Sequence, residues 1–256
     1  MERRALGRSA GLVSTICVGL LWYFMGAAET CSAKEKDVYA YAAFSNADFG
    51  ILNLVTGQFV PCGNTGGSGA VGLAVGPGNT LYAETTTAYP DIYTINPTNA
   101  ATTYVGPTGI PNPNYALGST LTAIYDVDTA GNVYTINPTS GAATRIGTTG
   151  VPASSFANSL SANSKKLYYN NSYGLYTLST KKGKASLIGD GTTAIDADVY
   201  IGKTLYGGSV APPAIYTINT STGATTFVAN VSGESASVEF YGLVPAPATA
   251  ANGCSL

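Results

Sequence analysis

A repeat of strand-type segments constrains this 256-residue chain more than any other feature. A unit of two short apolar strands joined by a turn starts at residues 49, 92, 133, 175 and 215, so the copies lie 40 to 43 residues apart. The third copy reads VYTINPTSGAATRIG. A period in this range, with every signal of strand type, predicts the blade of a β-propeller rather than a helical solenoid.

Each repeat contains four predicted strands. A Leu-Tyr strand precedes each turn unit, and a looser apolar segment precedes that strand in all repeats but the first. Five repeats therefore predict an all-β, five-bladed β-propeller made of four-stranded antiparallel blades. Residues 238–247 resemble residues 70–77, which begin the second repeat. We expect this C-terminal strand to complete blade one and close the ring, because closure removes the open sheet edges.

The turn of the repeat has a structural explanation and a family resemblance. Asn137 and Pro138 start a turn, and Gly141 supplies the positive φ that returns the chain to a strand. The motif resembles the Tyr-Thr-Ile-Asn-Pro-x-Thr-Gly repeats of bacterial exported β-propeller proteins, along nearly the whole chain after its N-terminal segment. The resemblance implies a propeller fold and export, but it brings no established active site to this sequence.

The N-terminal segment has the pattern of an export signal. Three arginines precede a run without charge from Ser9 to Ala28. We interpret residues 1–28 as a signal peptide cleaved after Ala28, or as an uncleaved anchor, since about 20 apolar residues can span a bilayer. Residues 29–36 are then a linker, 37–247 the propeller and 248–256 a C-terminal tail. The protein is expected in the periplasm, at the cell surface or outside the cell.

Composition excludes several functional classes. The chain has no histidine, which removes serine-histidine and cysteine-histidine hydrolases and histidine-ligated zinc sites. Its net charge is −2 and only 10% of its residues are charged, so no basic surface for nucleic acid is indicated. Membrane contact is expected only through the N-terminal segment if it stays uncleaved. No cofactor is expected.

The cysteines predict one disulfide and one thiol. Cys62 occupies a repeat position held elsewhere by valine or isoleucine, which predicts a buried free thiol. Cys31 precedes the second strand of blade one and Cys254 follows its first strand. Because these two ends lie on the same side of an antiparallel blade, a Cys31–Cys254 disulfide is expected. The alternative is that both tails are disordered and their thiols unpaired.

Acidic residues offer weaker candidates. The stretch DVDTAGN resembles the opening of a calcium loop, with Asp126, Asp128 and Asn132 as ligands, although a polar hairpin is the favoured interpretation. Asp196 and Asp198 alternate along a strand and are expected to be solvated. A glycosidase would need paired carboxylates in the channel. The candidates occupy different repeat positions and show no such pair: Asp48, Glu84, Asp91, Asp126, Asp196 and Glu239.

These observations predict an exported, non-catalytic binding or scaffold module. Its contacts are expected in loops that differ between blades, because loops on a rigid frame are common recognition sites. The alternatives are a lectin-like carbohydrate binder and a glycan-acting hydrolase, and no catalytic residue is assigned. The partner is an unknown protein or glycan. The variable loops are residues 84–91, 107–115, 148–156 and 207–214.

Overall fold

The computed structural model describes residues 36–66, 70–85, 89–111, 116–151, 158–191, 193–209 and 211–254. The predicted signal and most of the linker lie outside these residues. The described residues form twenty strands and two short 3₁₀ helices, Pro77–Asn79 and Ala248–Asn252. In chain order, the strands are β1 (Tyr39–Phe44), β2 (Asp48–Asn53), β3 (Phe59–Asn64), β4 (Val71–Val75), β5 (Leu81–Glu84), β6 (Asp91–Ile95), β7 (Thr102–Pro107), β8 (Gly118–Ser119), β9 (Ile124–Val127), β10 (Asn132–Ile136), β11 (Ala143–Thr148), β12 (Ser159–Ala162), β13 (Leu167–Asn171), β14 (Gly174–Leu178), β15 (Ala185–Gly189), β16 (Ile195–Ile201), β17 (Thr204–Ser209), β18 (Ala214–Ile218), β19 (Thr225–Asn230) and β20 (Phe240–Pro245).

The strands form five antiparallel four-stranded sheets, which confirms the five-bladed propeller. Blades two to five each use four consecutive strands, beginning with β4, β8, β12 and β16. Blade one has the order β20-β1-β2-β3, in which Leu243 pairs with Ala42. The C-terminal strand therefore supplies the first strand of blade one and closes the ring, as the sequence predicts.

The first strand of each blade lies innermost, next to the central channel. Neighbouring innermost strands contact one another around the whole ring: β20 with β4, β4 with β8, β8 with β12, β12 with β16, and β16 with β20. All five run in the same sense, so the channel has two different ends. We call the end where the innermost strands begin the loop end, and the end where they finish the cavity end.

Each interface between blades contains a tyrosine from one fixed position of the second strand of a blade. The phenol ring packs against the apolar face of the following blade, and the five interfaces form five separate apolar clusters. None of these tyrosines is more than 7% exposed: Tyr41, Tyr82, Tyr125, Tyr168 and Tyr206. The repeated tyrosine is therefore a core residue, as its recurrence in the repeat indicates, because a full ring buries both faces of every blade.

The repeated turn serves as predicted. The side-chain oxygen of Asn137 accepts hydrogen bonds from the backbone N–H and the hydroxyl of Thr139, at 2.9 and 2.8 Å. Gly141 has φ +76°, and a Cβ atom there would collide with the carbonyl oxygen of Gly106 in the preceding blade. This glycine therefore provides both the positive φ and the close approach between two blades. Blade two places Ala100 at the same position with φ +59°.

The disulfide differs from the predicted one. Cys254 pairs with Cys62, whose Cα atom lies 5.3 Å away, so the expectations of a free Cys62 thiol and of a Cys31–Cys254 bond were wrong. Cys31 itself lies outside the described residues. The cause is the path of the last residues: Ala250 is buried between blades one and two, and the chain then reaches β3, the outermost strand of blade one. The apolar repeat position of Cys62 is half-buried and accessible to this segment.

The disulfide indicates that the protein matures in an oxidising compartment. Within the described residues, no helix is long and apolar enough to cross a membrane.

Candidate functional site: the central cavity and the acidic loop end

A cavity of about 820 Å³ opens at the cavity end of the channel. All five innermost strands contribute to it, together with the turns that follow them. Its volume lies in the range of small-molecule sites in proteins, roughly 300–1,000 Å³. The ring thus forms a concave site from one element of every blade, although none of those elements carries a motif of its own.

The cavity has apolar walls and a polar mouth. The walls include Leu73, Leu160 and Leu243, whereas asparagine, serine and threonine side chains occur in the turns around the mouth. Lys165 is the only charged residue among the described residues of the lining. None of the described residues that line the cavity carries a carboxylate.

Aromatic groups border the same cavity. The ring of Tyr200 lines it and stacks on the ring of Tyr168, with 5.8 Å between centroids and 3° between planes. Tyr41 also lines the cavity. At the mouth, the side chain of Leu121 is 90% exposed, in a turn that otherwise carries hydroxyl groups. Aromatic and aliphatic surface next to hydroxyl and amide groups suits a ligand with both apolar and hydrogen-bonding parts.

Two buried carboxylates, Glu84 and Asp126, lie toward the opposite end of the ring. Glu84 ends β5 and pairs with Val71 at the start of β4, which places it at the loop end. It is 1% exposed and faces Asp126 of blade three, which is fully buried. Burial raises the pKa of Glu84 well above its ordinary value, and the charge and hydrogen bonding of Asp126 raise it further. Glu84 therefore keeps its proton to a higher pH than an exposed glutamate.

The predicted calcium loop has the geometry of a polar hairpin. The carboxylate of Asp128 accepts hydrogen bonds from the backbone N–H of Asn132 at 2.8 Å, from its side-chain amide at 2.8 Å, and from the hydroxyl of Tyr134 at 3.1 Å. The side-chain oxygen of Asn132 accepts two bonds from the guanidinium of Arg145. Asp126 instead faces blade two. Asp128 and Asn132 therefore interact with each other, whereas Asp126 interacts across the blade interface.

The expectation that Asp196 and Asp198 are solvated was wrong for Asp198. This residue is 2% exposed and faces Ser159 and Ser161 of blade four. Burial raises its pKa to about 7, and the two hydroxyls act against that rise. Asp196 is partly buried, and burial followed by the charge of Glu239 raises its pKa to about 7 as well. Sequence alone missed this cluster because the serines and the aspartate lie on different blades.

The described parts of the four variable loops lie at the loop end, and residues 86–88, 112–115, 152–156 and 210 of these loops lie outside the described residues. The loops that begin at residues 84 and 207 follow second strands, and those that begin at 107 and 148 lead into innermost strands. Their flanking strands place them all where the innermost strands begin. The described parts of the predicted recognition loops therefore lie at the end of the ring opposite the cavity.

Comparison with known proteins shows the fold alone. No protein-family model matches the chain, and no curated protein matches it. A chain in the crystal structure of a nidogen/laminin complex is similar over 80% of this chain and 97% of its own length, with a TM-score of 0.53 and 12% identity. Glutaminyl cyclase from Myxococcus xanthus is similar over 67% of this chain and 90% of its own, with a TM-score of 0.47 and 14% identity. At these identities, the likeness extends to the fold and not to a function.

Proposed function

We propose that this protein is an exported, non-catalytic binding module that holds a small ligand in its central cavity. The observation that carries the proposal is the cavity itself: about 820 Å³, contributed to by all five blades, apolar inside and ringed by hydroxyl and amide groups. The strands that form it are held by five buried interfaces, so the site is built on a rigid frame. Export through the N-terminal segment belongs to the proposal and agrees with the disulfide.

The ligand is expected to be largely uncharged, with at most one negative group. The lining residues that the structure describes include one lysine and no carboxylate, so a cationic ligand finds no counter-charge there. A sugar is one such ligand, since tyrosine faces at the wall can stack on sugar rings. The lectin-like alternative is therefore a special case of the same site, whereas the described lining of the cavity offers no carboxylate pair for the hydrolase alternative.

The variable loops at the loop end form a second proposed contact surface, for a protein partner. The side chain of Tyr89 in the first of these loops is 70% exposed, which suits recognition by an aromatic side chain. A propeller chain in the nidogen/laminin complex supports this part of the proposal, because that fold occurs there in an assembly of proteins.

Blocking the cavity tests the main proposal. Ala162 lines the cavity, so Ala162→Trp places a large ring in it. Leu187→Trp is the matched control, because Leu187 is 62% exposed on the outermost strand β15. An uncharged fluorescent probe such as N-phenyl-1-naphthylamine should bind the wild type and the control equally, and Ala162→Trp at least tenfold more weakly.

The outcomes separate the alternatives. Failure of the wild type to bind the probe or any member of a glycan array would reject the cavity as a ligand site. Equal binding by Ala162→Trp and the control would do the same, since the ligand would then sit elsewhere. Glycan binding that Ala162→Trp abolishes would identify the lectin-like form. Tyr89→Ser should leave all of these values unchanged, because Tyr89 lies in a loop at the other end.

A further inference from the structure

One position of the repeat is leucine in four blades and aspartate in the fifth. It lies on the innermost strand and pairs with the residue that directly follows the core tyrosine of the second strand. Leu73 pairs with Ala83, Leu160 with Tyr169, Leu243 with Ala42 and Asp198 with Gly207. Leu117 takes this place in blade three, directly before Gly118, which pairs with Tyr125. The four leucines are all buried in the apolar clusters between blades. Asp198 thus replaces a core leucine.

The residues that face Asp198 are also exceptional. Ser161 pairs with Tyr168, and the same position in the other blades holds Ala74, Gly118, Val199 and Val244. Ser159 stands two residues earlier, where the innermost strands of blades three and five have Ala116 and Ala197. Of the five interfaces, the one between blades four and five therefore replaces a leucine and two small apolar residues with a carboxylate and two hydroxyls.

These polar groups do not satisfy one another. Both oxygens of the Asp198 carboxylate and both serine hydroxyls are buried, and no contact of these four atoms within the described residues has the distance and angle of a hydrogen bond. No basic residue contributes to the environment of Asp198. Burial of an unpaired carboxylate is costly, so this charge requires either a proton or a cation.

The oxygen atoms are of the kind that a hard cation prefers. Calcium binds carboxylate, hydroxyl, carbonyl and water oxygens, and transition metals prefer nitrogen or sulfur, which this group of side chains lacks. The strands β12 and β16 are innermost, so each has one edge that is not paired within its own blade. Ser161 also lines the central cavity, so the group lies directly beside that cavity. A cation would neutralise the carboxylate and also accept lone pairs from both hydroxyls, which a proton on the carboxylate does not do.

We propose that a calcium ion binds between blades four and five, held by the carboxylate of Asp198 and the hydroxyls of Ser159 and Ser161. The ion joins two neighbouring blades at the position where the other four interfaces use a leucine. It thus stabilises the ring beside the cavity, independently of which ligand the cavity takes.

Isothermal titration of the purified, oxidised protein at pH 8 with calcium chloride tests the site. One ion should bind per chain, and calcium should raise the melting temperature relative to EDTA. Asp198→Leu restores the residue of the other blades, and the double variant Ser159→Ala, Ser161→Gly restores their small apolar residues. Both should bind calcium at least tenfold more weakly than the wild type. Asp196→Asn is the matched control and should retain binding, because Asp196 interacts with Glu239 instead.

Three results would overturn the proposal. Absence of calcium binding by the wild type at millimolar concentration means that a proton or water fills the site. Unchanged binding by the double serine variant removes the hydroxyls as ligands, and this variant keeps the test decisive should Asp198→Leu fail to fold. Binding that survives in Asp198→Leu but is lost in Asp128→Asn would assign the ion to the hairpin at residues 126–132.

Discussion

The disulfide between Cys62 and Cys254 allows the sharpest prediction on stability. The two residues are 192 positions apart, so the bond closes a loop that contains nearly the whole propeller. It also fastens the segment that follows β20, the strand that closes the ring. In the chain-entropy account, a crosslink over a loop of this length stabilises the folded state by about 5 kcal/mol, because it restricts the unfolded chain.

The perturbation is the double variant Cys62→Val, Cys254→Ala. Valine is the residue that blades two and five have at the position of Cys62, so packing is preserved while the crosslink is lost. The free energy of unfolding should fall by about 5 kcal/mol, measured by urea denaturation of the oxidised wild type and of the variant. The reduced wild type should behave like the variant.

Two results would refute this reasoning. A loss below about 1 kcal/mol would mean that the crosslink hardly restricts the unfolded chain. Alkylation of Cys62 in the unreduced protein, or a peptide that joins Cys31 to Cys254, would show that a different pairing exists. Peptide mass mapping without reductant distinguishes these cases directly.

Two further predictions concern pH and glycine. Because the folded-state pKa of Asp198 is raised to about 7 from 3.8, the stability that its neutral form provides is complete below pH 4 and is lost as the pH rises through 7. In EDTA, the free energy of unfolding measured with urea should fall over this pH range, and Asp198→Asn should remove about 4 kcal/mol of that fall. A free energy of unfolding that rises toward pH 7 in both proteins would contradict this. Gly78→Ala should cost about 1 kcal/mol, since its φ is positive but nothing lies within 4 Å of the added atom. Gly141→Ala should cost at least twice as much in the same assay because its Cβ also meets the Gly106 carbonyl, and equal costs would remove the close contact from the explanation.

The architecture was predictable because its information is local. Each blade arises from consecutive strands joined by short turns, and those turns recur in the sequence with residues suited to them, such as Asn137 and Gly141. The completion of blade one by the C-terminal strand was also predictable, because residues 238–247 carry the innermost-strand pattern that the first repeat lacks. The tyrosine of the second strand was recognisable as a core residue for the same reason.

The candidate sites were less predictable, since they depend on residues that the repeat does not bring together in sequence. Asp198 meets Ser159 and Ser161 only across a blade interface, and Glu84 meets Asp126 in the same way. An alignment of the five innermost strands would have revealed Asp198 as the one residue that departs from leucine. The partner of Cys254 had no such signal, because the segment from 248 to 254 has no counterpart in the repeat.

The sequence by itself thus determined the blade, the number of blades and the way the ring closes, because strand periodicity and turn chemistry act over a few neighbouring residues. The tertiary structure alone decided which cysteine closes the disulfide and that the cavity lies at one end of the ring. It also decided that one of the five apolar interfaces includes a buried carboxylate and two hydroxyls. These properties depend on the packing of one blade against the next, and contacts between distant segments leave no periodic trace in the chain.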